Sequence, residues 1–194
     1  QLKYRGKLIS NLFSKADKQV IEKYASHRGC LDVKEAACMA AHVYDKYKHS
    51  LLIGGWSLDT SFDDLIVLQD EDLQTKLYSR LDNKGKKEYA YVFAGTRESN
   101  FKDWRNNIWQ ILGISSDYSQ LLSNAKLLSD KIKDSKLFFV GHSKGGGEAS
   151  LCSLATGRPA IVFNPAPLSR FTLLFNGEKL PNDVLIDAYV CAKD

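Results

Sequence analysis

The chain is poor in several residues whose abundance would name a class of protein. Among its 194 residues are one methionine, four prolines, four cysteines and four histidines. Cys30, Cys38, Cys152 and Cys191 contain no Cys-x-x-Cys pair. Cys152 and Cys191 fall in runs expected to be buried, where a thiol is a small apolar filler; free thiols and synthesis in a reducing compartment are expected. No stretch approaches the roughly 18 apolar residues of a spanning helix, and no charged-then-apolar signal opens the chain. The expected product is soluble or at most peripheral to a membrane, made in the cytoplasm, with secretion or injection as an effector left open.

An excess of one charge is lacking too. A net charge of +4, scattered along the sequence, reads as solubility, and no nucleic-acid partner is expected. His27 and His42 have no metal-ligand spacing. With 44% apolar and 26% charged residues and no repeat, linker or low-complexity tract, residues 1–194 read as one domain, with residues 1–50 its helical N-terminal part. The chain opens on Gln1 and its one methionine is Met39, so a longer parent protein, continuing past Asp194, is expected.

What is present centres on residues 138 to 147. An apolar run from Lys136 to Val140 has the make-up of a buried parallel strand, and small residues from Gly146 to Ala155 suit a helix packed closely on a sheet. Between them stands Gly141-His142-Ser143-Lys144-Gly145. Glycine at both ends lets the backbone cross itself and lifts Ser143 to the tip of a nucleophile elbow. A phosphate loop would need Gly-Lys-Ser/Thr at its end, and a dinucleotide fingerprint would need spaced glycines instead of Gly145-Gly146-Gly147.

Along the chain, Asp32 with Glu35 makes a capping box, and apolar residues from Val33 to Tyr47 predict a helix to about residue 48. Gly54-Gly55-Trp56 breaks it. Alternation from Leu73 to Leu81, a turn at Asn83-Lys84-Gly85 and a run from Tyr89 to Ala94 predict a hairpin that delivers Gly95-Thr96. A helix is predicted over 100–111, a stronger one over 117–133, and strands over 160–163 and 184–191. Ser14 with Asp17 suggests a helix start, 168–182 reads as an excursion, and residues 1–13 show no clear period. Strand and helix alternate from residue 89 onward. The expected fold is α/β, with a mainly parallel sheet, helices on both faces and an antiparallel hairpin leading in.

Ala94-Gly95-Thr96, Asp103-Trp104, the Gly-His-Ser-Lys-Gly-Gly elbow and Phe163-Asn164-Pro165, in this order, resemble the class 3 lipase-like branch of the α/β-hydrolases. The likeness runs from about Asp32 to Asp194 and is closest to bacterial lipase-like members. It implies hydrolysis of lipid esters by a serine, histidine and aspartate triad, without metal or cofactor. Carried onto this sequence, it makes Ser143 the nucleophile, the backbone N–H groups of Thr96 and Lys144 the oxyanion donors, and Asp194 the triad acid, with Asp187 as a mid-strand competitor. Asp103 beside Trp104 would be structural. Two departures stand out. Lys144 replaces the leucine of many relatives and leans the substrate toward one bearing phosphate. All four histidines, His27, His42, His49 and His142, lie at or before position 142, whereas the resemblance places the histidine last. The expected substrate is therefore a lipid or acyl ester, including phospholipids, with peripheral membrane contact. An inactive lipase-like binding module and an esterase of soluble esters are the alternatives, and the oligomeric state is left open.

Overall fold

The computed structural model describes residues 5–8, 31–44, 52–66, 74–95, 116–166 and 185–190. In chain order the elements are β1 (Arg5–Leu8), α1 (Val33–His42), β2 (Ser57–Leu58), α2 (Asp63–Ile66), β3 (Thr75–Leu81), β4 (Lys87–Phe93), α3 (Ser116–Lys131), β5 (Lys136–His142), α4 (Lys144–Thr156), β6 (Ala160–Phe163) and β7 (Ile186–Val190). They build one sheet ordered β1-β7-β6-β5-β4-β3-β2. From β4 to β1 every pairing is parallel, and β3 runs antiparallel to both β4 and β2. The expected α/β architecture with a leading hairpin is the one observed.

Helices cover both faces because both faces of the central strands are apolar. Tyr89, Tyr91 and Phe93 of β4, with Leu137 and Phe139 of β5, pack under α2, α3 and α4. Ala90, Val92, Phe138 and Val140 point the other way, toward Ala36, Met39 and Ala40 of α1. Period two thus fixes the face of each side chain, and continuous hydrophobicity makes each strand buried twice over. β3 departs from its predicted alternation for the same reason. Leu77 and Tyr78 are both fully buried, on opposite faces, and Arg80, on the nominally polar face, is held by Glu35 at 2.8 Å and Glu88 at 2.6 Å while lying over the Trp56 ring.

Helix α1 is shorter than its apolar stripe predicts. Asp32 caps it, accepting from the N–H groups of Lys34 and Glu35, but the helix ends at His42. Val43 is fully buried, and Tyr44 leaves the helix to bond β4 from the side. The N-terminal segment, unreadable from its pattern, contributes β1 at the edge beside β7. The predicted helix over 100–111, the start at Ser14 and the excursion at 168–182 lie outside the described residues.

Candidate active site

Ser143 sits between β5 and α4 with φ 59° and ψ −122°, a left-handed conformation that a side chain rarely adopts and that costs about 1–3 kcal/mol. The surroundings over-determine it. Its N–H donates to the Phe163 carbonyl at 3.0 Å, and its own carbonyl accepts from Gly146 at 3.0 Å, Gly147 at 3.2 Å and Ala166 at 2.8 Å. The end of β6 is thereby tied to the turn, which gives Asn164-Pro165-Ala166 a structural task. A Cβ on Gly141 would lie 2.1 Å from the Gly145 carbonyl oxygen, and one on Gly145 would lie 2.3 Å from that of Phe93. Only glycine permits this crossing.

The serine stands at the carboxyl end of β5, between the ends of β4 and β6, where open parallel sheets place their sites. Its Oγ is buried and has no hydrogen-bond partner among the described residues. The N-terminal turn of α4 begins directly after Ser143, at the end of the helix where the backbone dipoles favour negative charge.

The last described residue of β4's exit, Gly95, passes close to the turn. A Cβ there would come within 2.7 Å of the His142 carbonyl, 2.8 Å of the Tyr44 hydroxyl and 3.1 Å of Ser143 Cβ. The Gly95 N–H donates to the Tyr44 hydroxyl at 2.7 Å, and that hydroxyl lies 3.3 Å from His142 Nδ1. Burial lowers the His142 imidazole below its ordinary value, so it is neutral at pH 7. Tyr44 is the residue that sequence reasoning missed, because it continued the apolar stripe of α1 and looked like a packing residue.

Lys144 does not present its charge as the sequence suggested. Its side chain is 15% exposed and its Nζ lies 3.8 Å from Glu148 Oε1, one turn along α4. Burial pushes the Glu148 carboxyl up to about 7, against the opposing pull of the Lys144 ammonium. Cys152, one turn further, is fully buried, and burial together with Glu148 raises its thiol well above the ordinary value. Cys38 and Cys152 are both free thiols.

Of the remaining expected site residues, Thr96 and Asp194 lie outside the described residues, as do Asp103, Trp104, His27 and His49. Asp187 lies within β7, half-buried. His42 Nδ1 is 2.9 Å from the Tyr78 hydroxyl on β3, two strands from the serine, where its ring meets that of Tyr78 edge-on. The structure thus brings together Ser143, Lys144 and the Gly95 end of β4. Among the described residues no helix is long and apolar enough to cross a membrane, and no group of three or more His, Cys, Asp or Glu side chains could hold a metal ion.

A mainly parallel α/β sheet with a serine on a strained strand-to-helix turn at the end of a central strand has the architecture of an α/β-hydrolase-like protein. Residues 35–192 match the phospholipase-like family described as the Tle-like phospholipase domain. The chain belongs to this phospholipase-like family. Over 88 residues it is 40% identical to the extracellular phospholipase A1 of Serratia liquefaciens, a match covering 45% of this chain and 27% of that protein. The common ground with the sequence resemblance is a lipase or phospholipase, and the Serratia protein is by its name extracellular.

Proposed function

We propose that the chain hydrolyses a carboxylic ester of a phospholipid through an acyl-enzyme on Ser143. The supporting observation is the buried Ser143 hydroxyl, held on a strained turn without a partner among the described residues, in a chain of a phospholipase-like family. In the first step Ser143 Oγ adds to the ester carbonyl while a base takes its proton. The N–H groups of Lys144 and Thr96 receive the oxyanion, and the lysophospholipid leaves as its oxygen regains the proton. Water then attacks the acyl-serine and releases the fatty acid. Neither step calls for a metal or cofactor.

The base in this reading is a histidine oriented by Asp194. His42 and His142 are both engaged with tyrosines on the face covered by α1. The same observation favours a second reading, in which the fold binds lipid without cleaving it. Incubation of the intact protein with phosphatidylcholine vesicles, followed by titration of released fatty acid, separates the two. A fluorophosphonate should label Ser143, and S143A should abolish both labelling and release. Labelling of another serine, or full release by S143A, would sink the assignment. Equal rates on vesicles and on a soluble short-chain ester would instead mark an esterase without interfacial preference.

A further inference from the structure

We propose that Tyr44 is a positioning residue for the oxyanion loop, clamping the end of β4 to the serine turn through its hydroxyl. The inference rests on the reading of Ser143 given above. Gly95 directly precedes Thr96, the residue to which the second oxyanion N–H is assigned, so holding Gly95 holds the point from which the chain enters that residue. The Gly95 N–H donates to the Tyr44 hydroxyl at 2.7 Å, a short bond for an amide donor. The same oxygen lies 3.3 Å from Nδ1 of His142, the residue before Ser143. At that distance the hydroxyl and the imidazole share a hydrogen bond, the tautomer of the ring deciding which of the two donates. One side chain from outside the sheet thus joins two adjacent strand ends, β4 and β5, at the positions that carry the two halves of the site.

The packing around Gly95 points the same way. A Cβ on Gly95 would stand within about 3 Å of the Tyr44 hydroxyl, the His142 carbonyl oxygen and Ser143 Cβ, so only glycine leaves room for all three. The end of α1 at His42 is the other half of the device. A helix continued through Tyr44 would carry its ring around the axis, away from Gly95, and the clamp would be lost. Tyr44 also packs partly buried against the core between α1 and the sheet, so its ring is anchored independently of its hydroxyl. An oxyanion donor must be held within a fraction of an ångström, and losing one costs about 10²–10³ in turnover. A loosened donor should cost less.

Y44F keeps the ring and removes the hydroxyl. With phosphatidylcholine vesicles and the intact protein, kcat should fall about 10- to 100-fold while KM stays within about twofold and the melting temperature changes by no more than a few degrees. A merely structural tyrosine would lower the melting temperature and leave kcat per folded molecule unchanged, and that result overturns the proposal. S143A is measured alongside. If S143A keeps its activity, the serine reading fails and takes the clamp with it; if S143A is dead and Y44F matches wild type, the clamp alone fails. Should Y44F not fold, amide hydrogen exchange on the wild-type protein decides. A protected Gly95 amide supports the bond, and exchange at the rate of an open loop overturns it.

Discussion

Lys144 Nζ and Glu148 Oε1 stand 3.8 Å apart on consecutive turns of α4, with Glu148 only 1% exposed. Lys144 directly follows Ser143 and opens α4. Burial dominates over the lysine, so the carboxyl prefers to be neutral in the folded protein and titrates near pH 7. The sign follows from linkage. The folded value is raised above the unfolded one, so stability is fully present below the unfolded value and is lost as pH rises toward and through 7. The shift corresponds to about 3 kcal/mol of destabilisation at alkaline pH. E148Q removes the titration. Its melting temperature relative to wild type should rise between pH 5 and pH 8; a difference independent of pH would refute the assignment.

Asp59 works in the opposite direction. Burial raises its carboxyl, but the Lys87 ammonium at 2.7 Å and hydrogen bonds from Ser79 and Ser61 outweigh this and hold it well below the usual carboxylate range. Its stabilisation is present above the unfolded value near 4 and fades as pH falls below that. D59N should therefore melt lower than wild type at pH 7, with the gap closing toward pH 2.5. Lys87 is 42% exposed, so solvent screening keeps the effect at about 1 kcal/mol or less.

The crossing at the serine turn predicts a graded glycine series. In G145A the new methyl meets backbone of β4 at 2.3 Å, which no rotamer change relieves, whereas in G147A the nearest atom is the Ala166 carbonyl oxygen at 3.1 Å. Chemical denaturation should show G145A losing about 3 kcal/mol or more, with fluorophosphonate labelling abolished. G147A should lose no more than about 1 kcal/mol and keep most of its labelling. A G145A protein as stable as wild type would mean that the turn differs from the one described.

Thr96 is tested through its backbone. T96P deletes the N–H assigned to the oxyanion and leaves Ser143 in place, so turnover should fall about 100-fold with KM little changed. Circular dichroism and melting must match wild type for the comparison to count. Unchanged turnover in a folded T96P protein would remove Thr96 from the site.

The elbow, the hairpin and the parallel core were legible in sequence because their information is local. Gly141, Gly145 and the apolar run between residues 136 and 140 specify strand, turn and helix within about ten positions. The apolar run from Tyr89 to Ala94 marks a strand buried on both faces, and the capping box at Asp32 marks where α1 begins. Three things depended on contacts between segments distant in the chain. α1 ends early because Tyr44 bonds Gly95, 51 positions away, and the apolar stripe has no term for that bond. β1 joins the sheet through backbone pairing with β7, for which side-chain pattern carries little signal. Lys144 lies 3.8 Å from a Glu148 that the assembled fold buries, and burial is not a property of the local sequence. Local sequence determined the serine and its turn; only the tertiary structure decided what steadies them, because the stabilising groups come from the segments at the ends of α1, β4 and β6, which meet at β5 only after folding.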